Sequence, residues 1–380
     1  MSNNAHQPYD LAQMQALPLE AKIRMTKQRI KAWYKSWKRF EIIDDATGKT
    51  RFVTIDTRDY SAKPPMKETE WIKSAIDGQV YVSFSGGKDS TVLKHIVDSM
   101  YDDVPSLFVN TGLEYPEIQK FAMSQKNVVT VRPEMRFDEV IKKYGYPVIS
   151  KSVSHAVKIA KRNPNGNVMK NMFNPENKGR FGFYKWKFLI DADFSVSDEC
   201  CNVMKKAPAK KYAKETGRKA ILGTLACESS LRYSNWLKNG CNAFDTKTPT
   251  SQPLSFWTEQ DILHYIKKYD VPYCSVYGDI VIDFNDDTPD EQINVIDLLG
   301  DYEPEDRLKT TGCDRTGCIF CMFGCHLEKE PNRFQRLKHT HPRQYEYCIG
   351  DGEMVEGKWQ PNKEGLGLGK VLDYIGVKYD

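Results

Sequence analysis

Apolar residues recur every three or four positions from Pro18 to Phe40, with Ile23, Met25, Ile30, Trp33 and Trp37 as the buried candidates, and this spacing predicts a helix. From Phe40 the period shortens. Phe40-Glu41-Ile42-Ile43, turn residues from Asp45 to Gly48, and Arg51-Phe52-Val53-Thr54-Ile55 predict a hairpin. Residues 1–17 read as a loose arm and 62–65 as a linker. Short apolar runs then alternate with helical spacing. Strands are predicted at 80–84, 106–110, 128–131 and 220–224. Helices are predicted at 90–100, 116–124, 137–144, 151–161 and 258–268, with 212–215 closing another; the last full one opens on a Thr258-x-x-Asp261 capping pattern. Such alternation predicts an α/β chain with a doubly wound, mostly parallel sheet. Three regions are expected: a basic helix and hairpin extension at 1–77, the alternating domain at 78–276, and at 277–380 an acidic insertion, a cysteine-rich module and a tail holding Gly365 to Gly369.

Composition narrows the class. Of 380 residues 40% are hydrophobic and 12% aromatic, enough to fill a sizeable core and too much for a disordered chain. Apolar runs such as 221–222 and 295–299 are too short to cross a bilayer, and the first ten residues lack the pattern of a secretory signal. The expectation is a cytoplasmic protein without a membrane partner. The net charge of +4 hides a polarised distribution. Residues 22–39 carry eight Lys and Arg and no acid, 151–219 carry 16 against 6, and 279–306 reverses the balance. Two readings stay open: a basic face for a phosphate-rich partner, or a solvated surface whose opposite charges meet in the fold. The same choice applies to Trp33, Tyr34 and Trp37, which could grip nucleic acid or pack inward and leave the lysines in water.

Ten cysteines exceed what packing needs, and in a reducing compartment clustered cysteines point to metal or redox chemistry. Cys200 and Cys201 are adjacent, and Cys313, Cys318, Cys321 and Cys325 fall within 13 residues. Cys227, Cys241, Cys274 and Cys348 read as small core residues. A Cys-x-x-Cys with a remote second pair can place four thiolates around one centre; the local set of four is the competing arrangement, and unligated cysteines a third.

The densest signal is Ser83-Phe84-Ser85-Gly86-Gly87-Lys88-Asp89-Ser90, where a strand gives way to a helix. Glycines there let backbone N–H groups converge on an anion, the helix start adds its positive dipole end, and Lys88 adds a charge. Neither Gly-x-x-x-x-Gly-Lys-Ser/Thr nor Gly-x-Gly-x-x-Gly is present. A turn that merely caps a helix is the plainer alternative.

This loop resembles the pyrophosphate-binding loop of the adenine nucleotide α-hydrolase superfamily, and within it the chain is similar to the phosphoadenosine phosphosulfate (PAPS) reductase family. Further stretches fit in order: Asn110-Thr111-Gly112-Leu113-Glu114-Tyr115-Pro116-Glu117; Cys200-Cys201-x-x-x-Lys205-x-x-Pro208; Gly223 through Glu228-Ser229-Ser230-x-Arg232; Pro253-Leu254-x-x-Trp257-Thr258-x-x-Asp261-Ile262; and Arg315-Thr316-Gly317-Cys318-x-x-Cys321. The resemblance spans about residues 78–325 and looks most like phage and mobile-element members, which share the stretch from Arg315 to Gly324 and His326-Leu327-Glu328. It implies a pyrophosphate-loop nucleotide-binding domain over 78–276, with Ser83, Ser85, Gly86, Gly87, Lys88, Asp89, Ser90, Thr111, Gly112, Lys151, Gly223, Glu228 and Ser229 at the nucleotide. Lys88, Asp89 and Arg232 become the catalytic candidates, and Lys205 and Lys206 candidates for an anion. It further implies Cys200, Cys201, Cys318 and Cys321 as ligands of a [4Fe–4S] cluster, with zinc, and Cys313 and Cys325, as the alternatives.

The sequence also departs from the family pattern. Asn110 stands where aspartate is usual, Thr224 where the family has arginine, and about 35 residues are inserted over 277–311. The family's terminal Glu-Cys-Gly-x-His, whose cysteine takes the sulfite, has no counterpart in 371–380. Three readings follow. The first is ATP-dependent adenylation and sulfur transfer, with Mg²⁺ and an iron–sulfur cluster, and with nucleic acid or a sulfur-donor protein as candidate partner. The second is a PAPS or APS reductase that makes sulfite. The third is a non-catalytic nucleotide-binding regulator beside a ParB-like partner. The first is expected, in a homo-oligomer.

Overall fold

The computed structural model describes residues 5–283 and 306–380. Most of the acidic insertion, and the apolar run at 295–299, lie outside the described residues. The chain forms two compact units, one from Met1–Val109, Pro116–Val131 and Ala209–Thr316, the other from Asn110–Tyr115, Arg132–Pro208 and Gly317–Asp380. No helix among the described residues is long and apolar enough to cross a membrane.

The first unit is built on a six-stranded sheet in the order Val128–Val131, Ser106–Val109, Val80–Phe84, Lys219–Leu222, Thr250–Ser251, Asn242–Ala243. All neighbours run parallel except the last pair. This is the mixed α/β, mostly parallel architecture that the alternation predicts. Val80, Tyr81, Val82 and Phe84 are all buried, as expected of a parallel strand covered on both faces. The Lys88–Asp98 helix lays Val92, Leu93, Ile96 and Val97 into the same core. The Leu19–Lys35 helix joins it through Leu19, Ile23, Ile30 and Trp33.

Ahead of it, Pro8–Gln15 is a helix rather than part of a loose arm, because Leu11 packs into the same core. The Leu19–Lys35 helix is fastened by polar contacts as well. Lys22 Nζ reaches both carboxylate oxygens of Asp261 at 2.7 and 2.8 Å, with both residues buried. Trp257 Nε1 donates to Thr26 Oγ1 at 2.9 Å, and Thr26 donates to the Pro253 carbonyl at 3.2 Å. Removing one member of a buried ion pair costs about 3–5 kcal/mol, because the other charge is left buried and unpaired. Trp33 is fully buried, Trp37 nearly so, and Tyr34 stacks on Tyr101 at 4.0 Å, while Arg24, Lys27, Arg29, Lys31 and Lys35 stay exposed. The reading of this helix as a nucleic-acid grip therefore loses its stacking tryptophans to the core.

The predicted hairpin is present as Trp37–Asp44 and Lys49–Asp56, starting directly after the helix. A third antiparallel strand, Glu70–Ile76, pairs with the first and has no counterpart in the sequence reading. Its exposed Trp71 and Ile72 blur the alternation that marks a strand.

The second unit has its own core, including Val148, Val153, Val157, Leu189, Phe194, Phe334, Leu366 and Leu372. The Phe137–Tyr144, Lys151–Arg162, Arg333–Thr340, Pro342–Ile349 and Leu368–Tyr374 helices contribute to it. Met322–Phe323 pairs in parallel with Val148–Ile149, which sets the Cys318-x-x-Cys321 turn against the segment ahead of the Lys151–Arg162 helix.

Candidate functional site

In the first unit the Val80–Phe84 strand ends at a turn, and the Lys88–Asp98 helix begins at Lys88. Gly86 sits at φ +74°, and a Cβ there would lie 3.0 Å from Ile118 Cγ2 and 3.2 Å from the Ile118 carbonyl. Both the backbone pose and the space demand glycine. The serines hold the turn in shape. Ser90 Oγ accepts from the Ser85 N–H at 3.2 Å and donates to the Gly87 carbonyl at 2.9 Å, and Ser85 Oγ lies 3.1 Å from it.

Lys88 is 4% exposed, yet its ammonium has two oxygen partners: Glu259 Oε1 at 2.9 Å and the Asp314 carbonyl at 2.7 Å. Its backbone N–H donates to Tyr277 Oη at 3.1 Å, and Tyr277 Oη lies 2.6 Å from Thr316 Oγ1. Burial pushes the Tyr277 hydroxyl up to about 12. The loop that the sequence singles out is thus held by Tyr277, Glu259 and the 314–316 segment.

Around the helix start, a Cβ on Gly223 would lie 3.1 Å from the Asp89 carbonyl, so this glycine admits close strand–helix packing. Burial raises the Asp89 carboxyl above the usual range, against the opposing pull of Lys88, Arg315 and Arg232. Glu228 accepts the Leu225 N–H at 2.9 Å, pairs with Arg232, and meets Arg315 at 3.7 Å. Ser229 caps the Ser230–Asn239 helix. Arg232 is itself lowered, by burial first and by Arg315 second. Sequence reasoning missed Tyr277, Glu259, Thr316 and Arg315 as members of this constellation. Arg315 and Thr316 lay inside a quoted motif; Tyr277 and Glu259 carried no signal of their own.

Thr111, Gly112 and Lys151 belong to the second unit. Thr111 closes a turn with Glu114 through its N–H at 3.1 Å and its hydroxyl at 2.7 Å. The same unit gathers Cys200, Cys201, Cys318 and Cys321 into electrostatic reach of one another. The Cys200 thiol bonds to Cys201, which holds Cys201 down to about 6 against its burial, with Lys151 and Lys205 assisting. Cys200 is raised by that same bond and by burial. Burial pushes Cys318 up to about 11. Lys205 is buried as well, and Cys318, Glu114 and Cys201 outweigh that burial to hold its ammonium above the ordinary lysine range. Four thiols and two lysines thus share one neighbourhood, and thiolates are the donors an iron–sulfur cluster takes. Among the described residues no group of three His, Cys, Asp or Glu stands as a ready site for one ion. Of the alternative ligands, Cys313 folds with the first unit, and Cys325 is 1% exposed, with its thiol on the Met322 carbonyl at 3.0 Å.

A family model, the phosphoadenosine phosphosulfate reductase domain, matches residues 79–172 and 127–322. The chain belongs to this family. Its match takes in the loop, the double cysteine and the Cys-x-x-Cys alike. An uncharacterized protein of Methanocaldococcus jannaschii is 25% identical over 301 residues, covering 74% of this chain and 51% of that protein, so the chain spans about half the length of that relative. A solved structure, phosphoadenylyl-sulfate reductase from Candida auris in a phosphate complex, aligns with a TM-score of 0.31 and 16% identity over 52% of this chain and 75% of that one. Membership in the family makes the chain a nucleotide-binding protein of an enzyme superfamily.

Proposed function

We propose that this family member activates an acceptor with ATP. An acceptor oxygen attacks the α-phosphorus, the bond from that phosphorus to the bridging oxygen breaks, and pyrophosphate leaves from the turn at 85–90. A sulfur nucleophile then displaces AMP from the activated acceptor. The observation that carries this reading is Lys88, nearly buried at the first turn of a helix that follows the central strand, beside a glycine in the left-handed pose. A helix start and a dry lysine favour a departing polyanion. Arg232 and Arg315 bring further positive charge beside Asp89, and Asp89 stands to take the proton when the acceptor oxygen is a hydroxyl. Cys200, Cys201, Cys318 and Cys321 would hold a [4Fe–4S] cluster, which when bound supplies sulfur or electrons to the activated acceptor.

The reductase alternative needs a mobile thiolate to take the sulfonate. Past Cys321 this chain offers two thiols. Cys348 is fully buried in the Pro342–Ile349 helix and Cys325 is 1% exposed, and burial raises both. A buried thiol is a poor nucleophile. The test uses anaerobically purified protein with ATP or PAPS. Pyrophosphate release dependent on Lys88, with no sulfite from PAPS and thioredoxin, supports the reading. Steady sulfite production that disappears in Cys348→Ser overturns it.

A further inference from the structure

We propose that the face formed by residues 151–190 binds single-stranded nucleic acid and takes one unpaired base into a cavity of its own. The observations are independent of the phosphate loop. The segment holds nine Lys and Arg against one acid, Glu176. Arg162, Lys170, Lys178, Arg180, Lys185 and Lys187 are all exposed. Aromatic rings stand in water among them, with Phe181 51% and Tyr184 49% exposed. Each has a cation over it: Arg180 at 5.7 Å from the Phe181 ring and Lys187 at 5.9 Å from that of Tyr184. Exposed large aromatics interleaved with cations are the elements of a base-stacking platform that also tracks a phosphate backbone.

Beside this platform lies a cavity of about 390 Å³. Met172, Phe181 and Phe183 supply apolar walls, and Lys151, His155 and Asp198 supply polar groups. A flat ring with apolar faces and a hydrogen-bonding edge matches that lining. Asp198 can accept from an exocyclic amine, and it is held in place by Lys158 at 2.8 Å and by His155 at 3.3 Å. A free nucleotide would not need six exposed cations outside its pocket, whereas a strand threaded over them would. A base inside the cavity must be unpaired, which selects single strands over duplex.

Lys151 lines the cavity and also interacts electrostatically with the Cys201 thiol. A bound base would therefore end one side chain away from the cysteine centre. Any chemistry on that base rests on the function proposed above; the binding itself does not.

The test measures fluorescence anisotropy of labelled 12-nucleotide single strands on the full chain without ATP, and the emission of a 2-aminopurine placed within the strand. Salt-sensitive binding is expected, with a 2-aminopurine signal that Met172→Trp abolishes by filling the cavity. Phe181→Ala is expected to weaken binding about tenfold at unchanged melting temperature, while ATP affinity stays as it was. Lys88→Ala should leave oligonucleotide binding intact, so that failure of the loop reading and failure of this one are separable. Equal affinity for a blunt duplex, preference for anionic phospholipid vesicles, or binding indifferent to both Phe181→Ala and Met172→Trp overturns the proposal.

Discussion

The glycine-rich turn of the first unit and the cysteine cluster of the second face opposite electrostatic problems. At the turn the cation is already balanced: Lys88 lies between Glu259 and the Asp314 carbonyl, and its N–H is taken by Tyr277. A ligand entering there exchanges one set of partners for another. At the cysteine centre the groups crowd their own kind. Cys201 is held low near 6 by its bond with Cys200, while burial pushes Cys318 to about 11. At the turn the cation meets oxygen partners, whereas among the thiols the balancing charge comes from Lys151 and Lys205.

The sharpest way to break this contrast is to empty the cysteine centre. Cys318→Ser and Cys321→Ser are expected to lose bound metal entirely, and Cys200→Ser or Cys201→Ser to do the same, measured by iron, sulfide and zinc analysis of anaerobically purified protein. Metal lost only from variants among Cys313, Cys318, Cys321 and Cys325 would replace the remote pairing with a local site. ATP affinity should survive all of these changes.

Lys88→Ala comes next. It removes the charge from the anion seat and is expected to weaken ATP binding by about 30- to 100-fold in calorimetric titration, in line with a charge-assisted contact of about 2–3 kcal/mol. Metal content should not move. Unchanged ATP and PAPS affinity would take the turn out of the mechanism.

Gly86→Ala tests whether the turn is rigid by construction. A left-handed pose costs about 1–2 kcal/mol for a residue with a Cβ, and the 3.0 Å approach to Ile118 adds to it. A fall in melting temperature together with weaker ATP binding is expected, and Gly86→Val should be more severe. The smallest effect belongs to Tyr277→Phe, which frees the Lys88 N–H and Thr316. ATP should bind about threefold to tenfold more tightly if the hydroxyl competes with phosphate, as a hydrogen bond worth about 1 kcal/mol would dictate. Weaker binding would make the hydroxyl a ligand contact instead.

Much of the turn was legible because its demands are local. A strand, a left-handed glycine and a helix start must follow one another in the chain, so spacing exposed Gly86, Lys88 and a helix at 90–100 where the structure has Lys88–Asp98. What holds Lys88 is not local: Tyr277 stands 189 residues away and Asp314 226. The Trp33 and Trp37 positions were ambiguous for a related reason. An amphipathic helix shows which residues share a side, and the sequence pattern does not show whether that side meets a core or a partner. The strands Val148–Ile149 and Met322–Phe323 are two residues each, below any period a sequence can display. The cavity beside Lys151 was likewise invisible, since its lining draws on Lys151, Phe181 and Asp198 from separate turns of the chain.

The attachment of the Leu19–Lys35 helix bears on how far the protein can be divided. The family match opens at residue 79, which invites a shortened chain beginning there. Yet Asp261 and Trp257, both inside the match, direct their polar atoms to Lys22 and Thr26 outside it. A chain cut at the match would inherit a carboxylate with no counterion and an indole with no acceptor, facing the hollow that Ile30 and Trp33 had filled. The family match begins at residue 79, but the side chains that complete its core begin ahead of it, so a chain trimmed, fused or recombined at that point is expected to need the Leu19–Lys35 helix as well.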